Sequence, residues 1–325
     1  MLNKKLISLL KKNKKNISKL KIICIGDIIL DHYVVGNVER ISPEAPVKIL
    51  SLKNEKYEIG GVGNVAKNIV NLGGKTSLLC LSGVDHSSKI IRQLLGKEKN
   101  INNILIQIPN FRTPRKTRFL EDSNHLLRVD DERINFKLKN NFKQSILKKL
   151  DNIIKKKDLI ILSDYNKGLL DKQLIGLIIK ISKKHNKKII ADPKKFDLSI
   201  YSNVDTITPN QKEMMDATGI KVLNEKNLIK SGKYIIQKYK ISNLLITRSE
   251  KGMLLINRDG IKKFKSNPKK VIDVTGAGDT VLAVMGLMLA LKLSFNESVE
   301  ISNYAAGKVV ELSGTACLNF KDLIN

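Results

Sequence analysis

The stretch Asp273-Val274-Thr275-Gly276-Ala277-Gly278-Asp279-Thr280 decides how this chain is read. Three small residues, 276 to 278, separate a basic, strand-like run (261 to 272) from an apolar run at helical spacing that holds Val281, Leu282, Val284, Met285, Met288 and Leu289. The pattern predicts a glycine loop opening a helix. The first N–H groups of a helix have no intrahelical partner, and the helix dipole adds partial positive charge beside them, so an anion is favoured there. Asp279 is out of place in an anion cradle unless it works as a base. It would take a proton from a hydroxyl while the amides of Gly276, Ala277 and Gly278 hold the charge of a transferred phosphoryl group. The plainer alternative is a capped helix with Thr275 or Asp279 as an ordinary first-turn residue.

Outward from this loop, Lys21-Ile22-Ile23-Cys24-Ile25-Gly26-Asp27 reads as a buried parallel strand whose Gly-Asp end lies at the edge where open α/β sheets bind ligands, with Asp31 within reach. Residues 32 to 39 and 46 to 58 alternate apolar with charged side chains, as strands with one wet face do. They predict a small antiparallel lid that residues 115 to 130 extend. Gly60-Gly61-Val62-Gly63-Asn64-Val65-Ala66 opens the next helix. It contains GxGxxA, but the strand before it carries Lys48, Lys53, Glu55, Lys56 and Glu58, whereas a dinucleotide-binding glycine turn follows a buried first strand. Gly74-Lys75-Thr76 mimics the end of a P-loop, and Ile69 stands where its first glycine belongs.

Strands then alternate with helices: strands 77 to 82, 103 to 108, 158 to 163 and 188 to 191, with helices 86 to 96, 139 to 155 and 170 to 184 between them. Further strands are expected at 204 to 208, 243 to 247, 252 to 256 and 261 to 265, and helices at 210 to 217, 225 to 239, 279 to 291 and 296 to 312. This βαβ progression predicts an αβα sandwich around a mostly parallel sheet, one principal domain over 21 to 325. Residues 1 to 20 form a basic amphipathic helical segment ahead of it. Ser163-Asp164-Tyr165-Asn166-Lys167-Gly168 and Asp192-Pro193-Lys194 both follow parallel strands, so they are expected to meet the 276 to 279 loop in one cleft. Thr208-Pro209-Asn210-Gln211-Lys212-Glu213 carries a capping box.

The net charge of +28 raises the possibility of a nucleic-acid partner, yet aromatics are 5% and Trp is absent. The lysines are spread over nearly every segment rather than gathered on one stripe, so no specific nucleic acid is expected, only diffuse attraction for polyanions. Salt-dependent binding without ATP turnover would mark the rival, a basic nucleic-acid-binding protein. No apolar run approaches the roughly 20 residues a membrane span needs, and no secretory signal is legible, so a cytoplasmic protein is expected. Cys24, Cys80 and Cys317 form no CxxC pair, and four scattered histidines give no zinc pattern. A metal would then be magnesium on carboxylates and phosphates.

The octet at 273 to 280 resembles the C-terminal signature of the ribokinase-like (phosphofructokinase B type) carbohydrate kinases. That resemblance implies Asp279 as catalytic base with Gly276, Ala277 and Gly278 as anion hole. It implies that Asn210, Glu213, Thr247, Arg248, Gly252 and Asn303 bind ATP, with Glu213 near magnesium through water, and a monovalent cation is a further candidate. Within the family, Arg40-Ile41-Ser42-Pro43-Glu44-Ala45-Pro46-Val47, SDYNKG, ADPK and TRSEKGM are similar to the branch that phosphorylates the anomeric hydroxyl of D-glycero-D-manno-heptose 7-phosphate, a step toward ADP-heptose and lipopolysaccharide core. For that substrate Asp31, Gly60, Gly61 and Asn64 would face sugar hydroxyls, and Arg128, Lys167 and Lys194 the phosphate. Another phosphorylated sugar is the near alternative. GGVGNVA in place of GGAANVA, His32-Tyr33-Val34, and Gly314-Thr315-Ala316-Cys317 depart from the pattern. A homodimer through the lid is expected, and the nucleotidyltransferase step is expected on a separate polypeptide.

Overall fold

A computed structural model describes residues 2 to 324 apart from 123, 134, 135, 221 to 223, 267 and 269. The first half of the chain runs α1 (Lys4–Ile17), β1 (Lys21–Gly26), β2 (Ile28–Ile41), β3 (Lys48–Gly61), α2 (Val62–Asn71), β4 (Lys75–Ser82), α3 (His86–Gly96), β5 (Ile101–Gln107), β6 (Arg115–Glu121), β7 (Asn124–Asp131) and α4 (Asn140–Lys155). It continues with β8 (Leu159–Ser163), α5 (Lys172–Lys184), β9 (Lys188–Asp192), β10 (Thr206–Ile207), α6 (Gln211–Thr218), α7 (Glu225–Tyr239), β11 (Asn243–Thr247), β12 (Met253–Asn257), β13 (Gly260–Phe264), α8 (Ala277–Ala290), α9 (Phe295–Val309) and α10 (Phe320–Ile324).

Nine strands form the central sheet in the order β13-β12-β11-β10-β9-β8-β1-β4-β5. All pairs are parallel except those that β12 makes with β11 and β13. β1 shows why both faces are covered. Ile22 and Cys24 join an apolar cluster with α2, α8 and α9, while Ile23 and Ile25 join another with α4, α5 and α7. The basic segment before β1 is held by the first cluster, because Leu2 ahead of α1 joins it and Leu6, Leu10 and Ile17 line the buried side of α1, leaving its lysines in water. No helix among the described residues is long and apolar enough to cross a membrane.

The lid is a second sheet in the order β3-β2-β6-β7. Its two hairpins are antiparallel, and β2 and β6 join them in parallel. The lid strands are longer than the alternation suggests. β2 starts at Ile28, one residue beyond β1, so Asp31 lies in the lid rather than on the end of the central sheet. The apolar Ile28, Ile29 and Leu30 are buried and hide the strand from an alternation test. β10 is shorter than expected, two residues where five were foreseen. Of the strand-like run at 261 to 272, 261 to 264 belong to β13, and 267 and 269 lie outside the described residues.

Candidate active site

Register brings the site together. Gly26 pairs with Ser163 and Ser163 with Asp192, so β1, β8 and β9 end level and send their next residues to one edge. The helix α8 starts at the same edge, with Gly276 at its N-cap in the left-handed region (φ 79°). A side chain on Gly276 would come within 2.7 Å of Asn64 Nδ2, so the glycine also clears space for that amide.

Asp279, in the first turn of α8, is 5% exposed. Its Oδ2 accepts from Asn64 Nδ2 at 2.9 Å and its Oδ1 from the Tyr165 hydroxyl at 2.8 Å. Burial pushes its pKa up to about 7, although those two hydrogen bonds and Lys194 pull the other way. The hydroxyl of Tyr165, buried beside this carboxylate, is held well above the ordinary tyrosine range and stays a donor. A carboxyl group at this poise can take a proton near neutral pH.

Beside Asp279 opens a cleft of about 500 Å³. Gly276, Ala277 and Gly278 line it, as do Tyr165, Asp192 and Lys194 from the strand ends and Asn210, Glu213, Thr247, Arg248, Gly252 and Asn303. Asn210 and Glu213 form the expected capping box: the Asn210 side chain accepts from the Glu213 N–H at 2.9 Å, and Glu213 Oε2 accepts from the Asn210 N–H at 2.8 Å. Glu213 Oε1 meets Lys194 Nζ at 2.6 Å, and Lys194 also reaches Asp192 Oδ2 at 3.2 Å. Lys194 therefore stands on the same side as Asn210 and Glu213. The far wall is apolar, made by Val271, Val274, Val281, Ala306 and Val310, and suits a flat aromatic base.

Among the described residues no three His, Cys, Asp or Glu side chains gather as a metal cage. Asp192 and Glu213 flank Lys194 at the cleft instead, a donor set that fits magnesium brought in on phosphates and held through water.

The lid supplies a second cluster. Asp31, 4% exposed, accepts from Arg118 Nη1 at 2.6 Å, and burial pushes its pKa up in spite of the guanidinium. A side chain on Gly60 would run into the Asp31 carboxylate, so the lid strands close up only with glycine there. Lys116 Nζ lies 5.5 Å above the Tyr165 ring, which links the lid to the residue that donates to Asp279. Gly61 caps α2 and Asn64 lies in its first turn. Glu58 accepts the N–H of Thr315 at 3.0 Å and the Thr315 hydroxyl, tying β3 to the C-terminal loop.

The structure does not gather every expected residue. Arg128 is exposed and pairs with Asp130 at 2.9 Å, Lys167 pairs with Glu132 at 2.5 Å, and neither lines the cleft. Asp27 and Asp164, both at strand ends, hold loops rather than face the cleft. Asp27 Oδ2 accepts the N–H groups of Tyr165 and Lys167 at 3.0 Å each, and Asp164 accepts the Asn166 N–H at 2.7 Å and the Tyr201 hydroxyl. Lys116 and Arg118 were read only as lid residues. Their signal was the two cations at alternate positions of one strand, which turns both to the same face.

The family described as "pfkB family carbohydrate kinase" matches residues 19 to 320. The "Bifunctional protein HldE" of Campylobacter fetus subsp. fetus is 38% identical over 306 residues, covering 94% of this chain and 66% of that protein. The protein of the same name from Rhodospirillum rubrum is 36% identical over 310 residues, 95% of this chain and 62% of its own length. The chain thus spans slightly under two thirds of these curated relatives. In fold it is similar to phosphofructokinase-2 from Escherichia coli in complex with potassium, with TM-score 0.79 at 19% identity over 94% of this chain and 97% of the other. With its α/β sandwich, lid and buried Asp279 beside a glycine-opened helix, the chain belongs to the pfkB family of carbohydrate kinases and is a sugar kinase.

Proposed function

We propose that the chain transfers the γ-phosphoryl group of ATP to the anomeric hydroxyl of D-glycero-D-manno-heptose 7-phosphate, giving the 1,7-bisphosphate on the route to ADP-heptose. The observation that carries the chemistry is Asp279, a buried carboxylate at the first turn of α8 whose two oxygens are oriented by Asn64 and Tyr165. Asp279 removes the proton of the attacking hydroxyl, and the N–H groups of 276 to 278 receive the phosphoryl charge. Lys194 and Arg248 face the nucleotide phosphates, and the apolar wall holds the adenine. Glu213 and Asp192 would hold magnesium through water, and it would supply neutralisation of the phosphate charge.

The choice of heptose rests on the motifs at 40 to 47, 163 to 168 and 247 to 253 and on the match to proteins named HldE. Asp31, Gly60, Gly61 and Asn64 form the sugar side, with Lys116 and Arg118 as the nearest lid cations to Asp31. The cell compartment assigned to the chain is the cytoplasm. A monovalent cation as activator belongs to the same proposal.

The test is ADP release measured on a panel of heptose 7-phosphate, fructose 6-phosphate and tagatose 6-phosphate, with and without potassium. The highest kcat/KM is expected with the heptose. A preference for either hexose phosphate would overturn the substrate while leaving the kinase.

A further inference from the structure

Behind Asp279 runs a chain of buried amides that begins at Asn64. Thr280 Oγ1 donates to Asn68 Oδ1 at 3.4 Å, Asn68 Nδ2 donates to Asn64 Oδ1 at 3.3 Å and to the Asn64 carbonyl at 3.0 Å, and Asn64 Nδ2 donates to Asp279 Oδ2 at 2.9 Å. Asn64, Asn68 and Thr280 are fully buried. Cys317 adds a second donor to Asn64 Oδ1, Sγ to oxygen 3.6 Å.

An asparagine side chain has one acceptor end and one donor end, and either can face a given neighbour. With Asn68 and Cys317 both donating to its oxygen, only one orientation of Asn64 satisfies every group. Turned over, Asn64 would set N–H against N–H at Asn68 and oxygen against the Asp279 carboxylate, losing both contacts among fully buried groups. We infer that Asn68 is a positioning residue: it fixes the Asn64 amide so that its N–H, rather than its oxygen, meets the carboxylate of Asp279. The Asn64 carbonyl, which can only accept, sets which way Asn68 faces, and Thr280, on the same helix as Asp279, donates to the Asn68 oxygen that this leaves.

The consequence is electrostatic. A hydrogen bond donated to a carboxylate favours its charged form, and here it opposes the burial that drives Asp279 toward the protonated acid. The other groups facing Asp279 are Tyr165 from the loop after β8, which donates to it, and Asp192 and Lys194 from the end of β9, which act in opposite directions. Without Asn68 the orientation of the Asn64 amide is held only by the weak Cys317 thiol donor and by Asp279 itself. The Asp279 midpoint then rises, and a base that works as carboxylate is lost at low pH first.

This inference rests on Asp279 as the base, so its test carries a readout that does not depend on catalysis. The Asp279 carboxyl is followed by carbon-13 NMR in protein labelled at aspartate, assigned by difference against Asp279→Asn, alongside the pH profile of kcat. In Asn68→Leu and in the isosteric Thr280→Val the carboxyl midpoint is expected to rise, by about one pH unit in Asn68→Leu and less in Thr280→Val, with the acid limb of kcat moving with it. At a pH one unit below the parent midpoint this is roughly a tenfold loss of turnover in Asn68→Leu. A carboxyl midpoint that stays in place in the variants overturns the role of Asn68, even if kcat falls evenly at all pH. A midpoint that moves while the acid limb does not supports the positioning role and overturns Asp279 as base. Should Asn68→Leu not fold, Thr280→Val decides by the same two readings.

Discussion

At the scale of single residues, the reading turns on Asp279. Replacing it by Asn keeps shape and removes the base, so turnover is expected to fall by about 10² to 10⁴ while nucleotide affinity, measured by calorimetry, stays within a few-fold. Unchanged turnover would contradict the assignment. With its pKa raised to about 7, the carboxylate form grows as pH rises, and kcat is expected to climb through an acid limb near pH 7. The same shift costs stability in the opposite sense. The folded state holds its proton to higher pH than the unfolded chain, so this group's contribution is full below the ordinary aspartate pKa and is lost as pH rises through about 7. Asp279→Asn is therefore expected to melt higher than the parent at pH 8 and to lose that advantage at pH 5, a reversal that thermal denaturation reads directly. Asp279 and Gly276 were legible because their motif is contiguous. Asn64 and Tyr165 were not legible as partners of Asp279, since they lie 215 and 114 residues away and nothing in one sequence couples them.

Among the elements, the lid has the most to add. β2 and β6 pair side by side, and the Asp31–Arg118 bridge spans them with side chains 5% and 8% exposed. A buried ion pair is weak evidence of net stability, but removing one partner strands the other charge. Arg118→Ala is expected to destabilise the protein by about 3 to 5 kcal/mol and to raise KM for the sugar more than KM for ATP. A melting temperature unchanged within a degree would mean that water reaches Asp31 freely. β3 is tied to the body separately. Burial alone would raise the pKa of Glu58, yet hydrogen bonds from Lys56 and Thr315 hold it below the usual glutamate range. Elements of the central sheet were legible from period and punctuation: α3, α7 and β11 begin and end where the spacing placed them. The lid resisted because β2 starts buried and ends exposed while β3 does the reverse, so neither a continuous apolar run nor a strict alternation describes them. The convergence of strand ends was legible as an edge, but which aspartates face the cleft was not. Asp27 and Asp164 spend their oxygens on loop N–H groups and a tyrosine hydroxyl, and a sequence does not record where a carboxylate turns.

For the whole molecule, charge and lid exposure bear on what the protein meets. At +28 it attracts anions generally, which steers phosphorylated substrates inward and falls off with salt. Assembly is a sharper matter. β3 and β7 are the open edges of the lid, and Leu127 and Val129 on β7 are 59% and 44% exposed, with Ile41 and Leu52 exposed on β2 and β3. An open sheet with apolar side chains in water is a surface that associates unless something blunts it. The proposal is that a second copy covers it, lid against lid. Sedimentation at micromolar concentration is expected to give twice the chain mass of 36.5 kDa. Leu127→Asp with Val129→Asp puts two like charges of each copy into that contact, so the variant is expected to sediment as a monomer and to lose affinity for the sugar while binding ATP as before. A parent protein that stays monomeric at these concentrations would leave the exposed lid face without this explanation. A charged variant that remains dimeric would move the contact elsewhere on the surface.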